Sequence, residues 1–284
     1  MADPFLGFGL GLRTDHFQYV LEQQPAVDWF EITSENFMVP GGKPRYYLQA
    51  IGERYPIIMH GVSLSIGGVD PLDMDYLQRL KQLADEVQPL WFSDHLCWTT
   101  CDGFNSHDLL PLPYSEAAIA HVVGRIRQVQ DFIGRPFLIE NLSSYLTYKS
   151  SEMEEWTFLN EIAERADCKI LFDVNNVYVS ARNHGFDAAD YLHGINPERV
   201  QQFHMAGHSE YPDHIVDTHD HPIVEDVWDL YRLAVRRFGA VSTMIELDDH
   251  IPPFPELQAE LAIARDIALQ EIPDLLQTRH AHVS

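Results

Sequence analysis

The chain has 284 residues, 45% of them hydrophobic and 22% charged, which is enough to bury a sizeable core and too apolar for disorder. Its 43 acidic residues against 19 basic ones give a formal charge of −24, which repels phosphate backbones and anionic membrane surfaces, so no nucleic-acid partner is expected. Cys97, Cys101 and Cys168 are the only three cysteines, too few for a disulfide framework and lacking a second pair to complete a zinc site.

The first residues, Met-Ala-Asp-Pro-Phe-Leu-Gly, carry no positive lead into an apolar run, and no stretch approaches the roughly 18 apolar residues of a membrane span. A cytoplasmic protein, neither secreted nor membrane-bound, is the expectation. From there onward, short apolar runs of strand length alternate with amphipathic stretches, the pattern of parallel βαβ units. The first three strand candidates are Gly7–Arg13, Trp29–Phe37 and Pro56–Ser63. Leu72–Val87 follows, with Leu77, Leu80, Leu83, Ala84 and Val87 forming one apolar helical stripe. After the fourth candidate, Leu90–Trp98, Ser115-Glu116 opens a helix running to Phe132 with a capping hydroxyl and a first-turn acid.

The fifth, sixth and seventh candidates are Pro136–Ser143, Lys169–Tyr178 and Val200–Gly207. Val224–Phe238 reads as a helix stopped at Gly239 after Arg236 and Arg237. Val241–Leu247 is the eighth strand, and a last helix begins at Pro255 and runs to about Gln270. Eight strand–helix repeats without a long linker predict a single (β/α)8 TIM barrel over 1–275, with a frayed tail over 276–284. A two-domain doubly wound sheet is the alternative.

In such a barrel the site lies at the C-terminal ends of the strands. Here the third strand ends in His60, the fourth in Asp94-His95, the fifth in Glu140-Asn141 and the sixth in Asp173, followed by Asn175-Asn176. The seventh ends in His204 and the eighth in Glu246, and Asp217-Thr218-His219 adds a second His/carboxylate pair in a loop rich in both types. A lone histidine after an apolar run is more often structural. A buried carboxylate, however, is costly unless paired with a cation, and few Lys or Arg lie near these strand ends. Six such positions on one rim point to a metal site. With nitrogen and oxygen donors and no thiolate, the set suits iron, manganese or zinc. Cys97, near His95, reads as a small core thiol.

The segments Met59-His60-Gly61-Val62-Ser63, Ser93-Asp94-His95-Leu96, Leu138-Ile139-Glu140-Asn141, Phe172-Asp173-Val174-Asn175-Asn176, His204-Met205-Ala206-Gly207-His208, Asp217-Thr218-His219 and Ile245-Glu246-Leu247-Asp248 resemble those of the multinuclear non-haem iron-dependent oxidative enzymes. That family was long catalogued as uncharacterised and includes the oxidase of methanobactin biosynthesis. It belongs to the xylose-isomerase-like barrels, alongside the trinuclear-zinc apurinic endonucleases, and the similarity runs from about Gly7 to Gln270.

The resemblance implies a ligand set for two or three iron ions in mixed Fe(II)/Fe(III) states. One ion takes His60, His95 and Glu140; a second takes Glu140, Asp173, His204 and Glu246; a third takes Asn176, Asp217 and His219. Asn176 stands where the endonucleases have a histidine, and its amide makes the third site the most labile. The implied activity is O2-dependent oxidation of a ribosomally made precursor peptide at cysteine residues, a ferric ion acidifying the thiol while a ferrous neighbour activates O2. A small partner protein presents the peptide. Asp248 is the candidate general base, and His208 and Asn141 are candidate supporting or substrate contacts. Gly41-Gly42 and Gly67-Gly68 read first as ordinary turns and second as walls of a peptide groove. A hydrolase or isomerase using zinc or manganese is the alternative, and a non-enzymatic metal-binding protein a third reading.

Overall fold

Eight parallel strands close into a barrel in the computed structural model, which describes residues 4–275. The strands are β1 (Phe8–Gly11), β2 (Trp29–Thr33), β3 (Ile57–Gly61), β4 (Phe92–His95), β7 (Phe137–Glu140), β8 (Lys169–Asp173), β9 (Val200–Met205) and β12 (Ser242–Ile245). They pair in that order, and β12 closes the circle on β1 with Phe8 opposite Thr243 and Leu10 opposite Ile245. The helices are α1 (Phe17–Gln23), α2 (Lys43–Gly52), α3 (Met74–Val87), α4 (Glu116–Ile133), α5 (Glu155–Ala166), α6 (Val174–His184), α7 (Ala188–Gly194), α8 (Glu225–Phe238) and α9 (Phe254–Glu271). The single (β/α)8 barrel expected from the alternation is therefore the fold. The predicted tail, 276–284, lies outside the described residues.

Side chains on a strand alternate between its two faces, and the core divides accordingly. Phe30, Ile32, Met59, Phe92, Phe137, Ile139, Phe172, Phe203 and Ile245 join one large cluster with the buried stripes of the helices. Trp29, Ile58, Trp91, Leu138, Leu171 and Met244 form a separate cluster of their own, a plug inside the barrel. Two residues further along each of these strands, on the same inner face, come Glu31, His60, Ser93, Glu140, Asp173 and Glu246. The barrel is thus apolar at its floor and polar at its upper end.

The strands are shorter than the apolar runs suggested, and three differences bear on the site. The second run becomes a 3-10 helix at Ser34–Phe37. The sixth run, expected to reach Tyr178, turns helical at Val174 because the Asp173 side chain accepts the Asn176 backbone N–H at 2.7 Å and caps α6. The fourth stops at His95, and Trp98 opens an unforeseen hairpin, β5 (Trp98–Cys101) with β6 (Phe104–Leu110), around Asp102-Gly103. Both turn residues have positive φ, 51° and 75°, the conformation an Asp-Gly hairpin turn requires. A second small sheet, β10 (Ser209–Glu210) with β11 (Ile215–Val216), decorates the loop after β9. Among the described residues no helix is long and apolar enough to cross a membrane.

Candidate metal centre

Inward-facing residues at the ends of five adjacent barrel strands converge on Glu140. His60 Nε2 lies 3.5 Å and His95 Nε2 3.4 Å from Glu140 Oε2, while His204 Nδ1 lies 3.5 Å from the other oxygen, Oε1. His204 Nδ1 is also 2.9 Å from Glu246 Oε2. Asp173 completes the inner group, and ligand atoms of Glu140, Asp173 and His204 fall within 4.8 Å of one another, as do those of His60, His95 and Glu140. Glu140, Asp173 and His204 are essentially inaccessible, whereas His95 and Glu246 sit nearer the rim.

A second group lies beside the first. The loop after β9 folds back so closely that a Cβ on Gly207 would stand 2.0 Å from the His221 carbonyl oxygen, which no other residue accommodates. That return brings Asp217 and His219 over the barrel, with His219 Nε2 2.7 Å from Asp217 Oδ1 and Nδ1 3.5 Å from Glu246 Oε2. Asn176, one turn into α6, donates its amide N–H to the Asn141 carbonyl at 3.0 Å, so its Oδ1 is the free end. Eight of the nine predicted ligand positions are thus linked, with Glu246 between the two groups, and Asn176 joins them through its backbone N–H, which Asp173 caps.

The chemistry of these atoms fits cations. Among the described residues, Glu140 Oε2, Asp173 Oδ2 and Asn176 Oδ1 are buried without a hydrogen-bond partner, while His204 Nδ1 and His219 Nε2 face carboxylate oxygens, Glu246 Oε2 at 2.9 Å and Asp217 Oδ1 at 2.7 Å. An orphaned buried polar atom costs about 1–3 kcal/mol, and bound cations would satisfy these groups. The opposite ring nitrogens are held. His60 Nδ1 is 2.8 Å from Ser93 Oγ, and His95 Nδ1 is 3.2 Å from the Gly61 carbonyl. Such outer contacts select the tautomer that leaves the inner nitrogen free.

Charge within the cluster is compensated internally. Burial opposes the charged form of His95, but the Glu140 and Asp94 carboxylates raise it to about 9. Burial likewise opposes the Glu140 carboxylate, yet the imidazoles of His95, His204 and His60 hold it down at about 2. Asp173 goes the other way, pushed by burial well above the usual carboxylate range. Without a cation the group balances itself with protons, and metal binding would release them.

Two supporting residues had no place in the sequence reading. Glu31, buried on β2, faces His204 Nε2 at 2.8 Å and accepts the Gln202 amide at 2.5 Å, and Gln202 in turn accepts the Trp91 indole N–H at 2.7 Å. The available signal was the inner-face alternation Trp29, Glu31, which the second acid of the run, Glu35, obscured. Ser143 and Asn175 hydrogen-bond the two oxygens of Asp217 at 3.2 and 2.7 Å. His208 supports this group indirectly, through Asn175 at 2.8 Å, and Asn141 brackets the Asp173 backbone. Asp248 stands at the mouth with half its side chain exposed and Oδ2 3.3 Å from His219 Nδ1. Cys97 is a free, buried thiol that burial raises well above its ordinary range. Gly67 and Gly68 are packed against Leu112 and Ser65.

The sequence profile of the family described as "RiPP precursor modification enzyme MbnB/TglH/ChrH" matches residues 7–269. A UPF0276 protein of Caulobacter vibrioides strain NA1000 is 53% identical over 263 residues, covering 92% of this chain and 94% of that protein. Another, from Anaeromyxobacter sp. strain Fw109-5, is 51% identical and covers 96% of both. Among solved structures, the 3-keto-D-glucoside 4-epimerase YcjR of E. coli superposes with a TM-score of 0.56 at 14% identity, covering 92% of this chain and 99% of the epimerase. D-Psicose 3-epimerase of Clostridium cellulolyticum H10 gives 0.58 at 10% identity, covering 96% and 99%. At those identities the likeness is one of fold, the (β/α)8 barrel.

Proposed function

The chain belongs to the MbnB/TglH/ChrH family of RiPP precursor modification enzymes, and on that premise we propose that it oxidises cysteine residues of a precursor peptide with iron and dioxygen. The observation that carries this reading is the set of buried His, Asp and Glu groups, sharing Glu140, Asp173, His204 and Glu246, in each of which the ligand atoms lie within 4.8 Å of one another. In this assignment His60, His95 and Glu140 hold one iron ion, and Glu140, Asp173, His204 and Glu246 hold a second. Asn176, Asp217 and His219 hold a third. An all nitrogen-and-oxygen set with shared carboxylates suits iron in two oxidation states.

When bound, iron supplies the one-electron chemistry with dioxygen that breaks a C–H bond beside a coordinated thiol. The chain's own residues do the rest. Glu140, with one oxygen toward His60 and His95 and the other toward His204, couples the first two sites. The apolar plug and the buried floor keep bulk water from the inner ligands. Asp248, exposed on one side to the mouth, is placed to take a proton from the peptide. A small partner protein presenting the peptide completes the proposal.

Anaerobic purification followed by metal analysis tests it. Two or more equivalents of iron, a mixed-valent signal and O2 uptake that depends on the precursor peptide support the assignment. Zinc as the native metal, with full activity in the absence of oxygen, overturns it.

A further inference from the structure

Arg13 follows β1 by two residues, at the same end of the barrel as the metal centre, and only 15% of its side chain is exposed. All three of its guanidinium nitrogens are engaged across the closing seam of the barrel. Nε donates to the Leu247 carbonyl at 2.7 Å, Nη1 to Thr33 Oγ1 at 3.1 Å and Nη2 to Asp248 Oδ1 at 2.5 Å. Nη2 also lies 3.7 Å from Glu246 Oε1. Gly11 leaves the space for this arrangement, because a Cβ there would stand 3.3 Å from the guanidinium carbon.

Asp248 is the only one of these contacts that is half exposed. Its Oδ1 is fixed by Arg13, its backbone N–H is bonded to the His219 carbonyl at 2.8 Å, and its Oδ2 is thereby turned to His219 Nδ1 at 3.3 Å. The other nitrogen of that ring, Nε2, faces Asp217 Oδ1 at 2.7 Å. A carboxylate on the outer nitrogen of a metal-binding histidine fixes both ring orientation and tautomer. A planar guanidinium anchored through Nε and Nη1 presents its Nη2 to Asp248 in one fixed direction, which a lone ammonium would not.

We propose that Arg13 is a positioning residue for the third cation site: it sets Asp248, which sets His219. The inference rests on the three-cation reading above and predicts a selective effect. Arg13 touches no ligand of the first site and reaches the second only at Glu246 Oε1, 3.7 Å from Nη2, so its loss should weaken the third site most and leave the first unchanged.

The test is a Co(II) titration of the metal-stripped full chain, read by d–d absorption and by metal retained after gel filtration. The wild type should take up three equivalents. Arg13→Ala and Asp248→Asn should each weaken the third equivalent by roughly 10- to 100-fold, with the first unchanged and the second affected far less than the third, and the double variant should be no worse than the weaker single one. Unchanged affinity for the third equivalent, equal weakening of all three, or additive losses in the double variant would overturn the assignment. If Arg13→Ala does not fold, Arg13→Lys decides, since it keeps the charge but not the fork; wild-type affinity there refutes the role. A wild type that binds only two Co(II) ions removes the third site and this inference together, whereas three ions held equally well by every variant removes the inference alone.

Discussion

Burial raises the carboxyl groups of both Glu140 and Glu155, and the two environments then part. At the end of β7 the imidazoles of His95, His204 and His60 overcome burial and hold Glu140 at about 2. At the start of α5 burial prevails over hydrogen bonds from Tyr114 and Tyr191, each at 3.0 Å, and Glu155 stays at about 7. The second carboxylate is saturated: each oxygen accepts one hydroxyl, and the surroundings are Leu96, Leu112, Leu142 and Phe158. The first has an orphaned oxygen among nitrogens whose lone pairs are also unspent. Unspent donors around a compensated charge mark a binding centre, and a satisfied acid without a counter-charge marks a wall.

Substituting the two acids is the direct way to break that contrast. Glu140→Gln is expected to have the largest effect, removing about two metal equivalents and abolishing turnover, because its oxygens face ligands of two sites. Full metal content in that variant would refute the bridging assignment. His219→Ala should lower metal content by about one equivalent and leave the first two, as elemental analysis after dialysis would show. Equal loss from all sites contradicts the partition. Glu31→Gln sharpens the contrast from outside the ligand set. It keeps the shape but removes the charge facing His204, and metal affinity should fall roughly 10- to 100-fold, read by chelator competition.

Glu155→Gln carries the smallest effect and concerns stability alone. The folded pKa of about 7 lies above the ordinary value of 4.5, so the folded state binds more protons than the unfolded chain across that window. The stability contributed by the protonated carboxyl is full below about 4.5 and is lost as pH rises through about 7. The glutamine variant should therefore gain up to about 3 kcal/mol relative to wild type above pH 7 and flatten the pH dependence of thermal melting, with metal content unchanged. A metal defect there would erase the distinction between wall and centre.

The buried polar positions at the ends of β3, β4, β7, β8, β9 and β12, proposed as ligands, were legible because each breaks an apolar run with a residue that is expensive to bury alone. The barrel was legible from the same alternation. Glu31 and Arg13 were not. Glu31 shares its run with Glu35, and Arg13 acts on Asp248, 235 residues away, through a seam that only barrel closure creates. The β5–β6 hairpin lay behind Asp102-Gly103, a local turn signal inside a segment read as one strand and its loop. Helix α6 began earlier than the apolar pattern indicated because a ligand candidate, Asp173, doubles as its cap.

The plug of Trp29, Ile58, Trp91, Leu138, Leu171 and Met244 beneath the centre makes the barrel a blind-ended well. Whatever reacts there has to enter and leave by one mouth. A peptide cannot be threaded through such a well; it can only dip a side chain or a terminus into it, and a small reactant taken in first is then corked beneath. The depth of that dip limits which residue of the precursor is within reach.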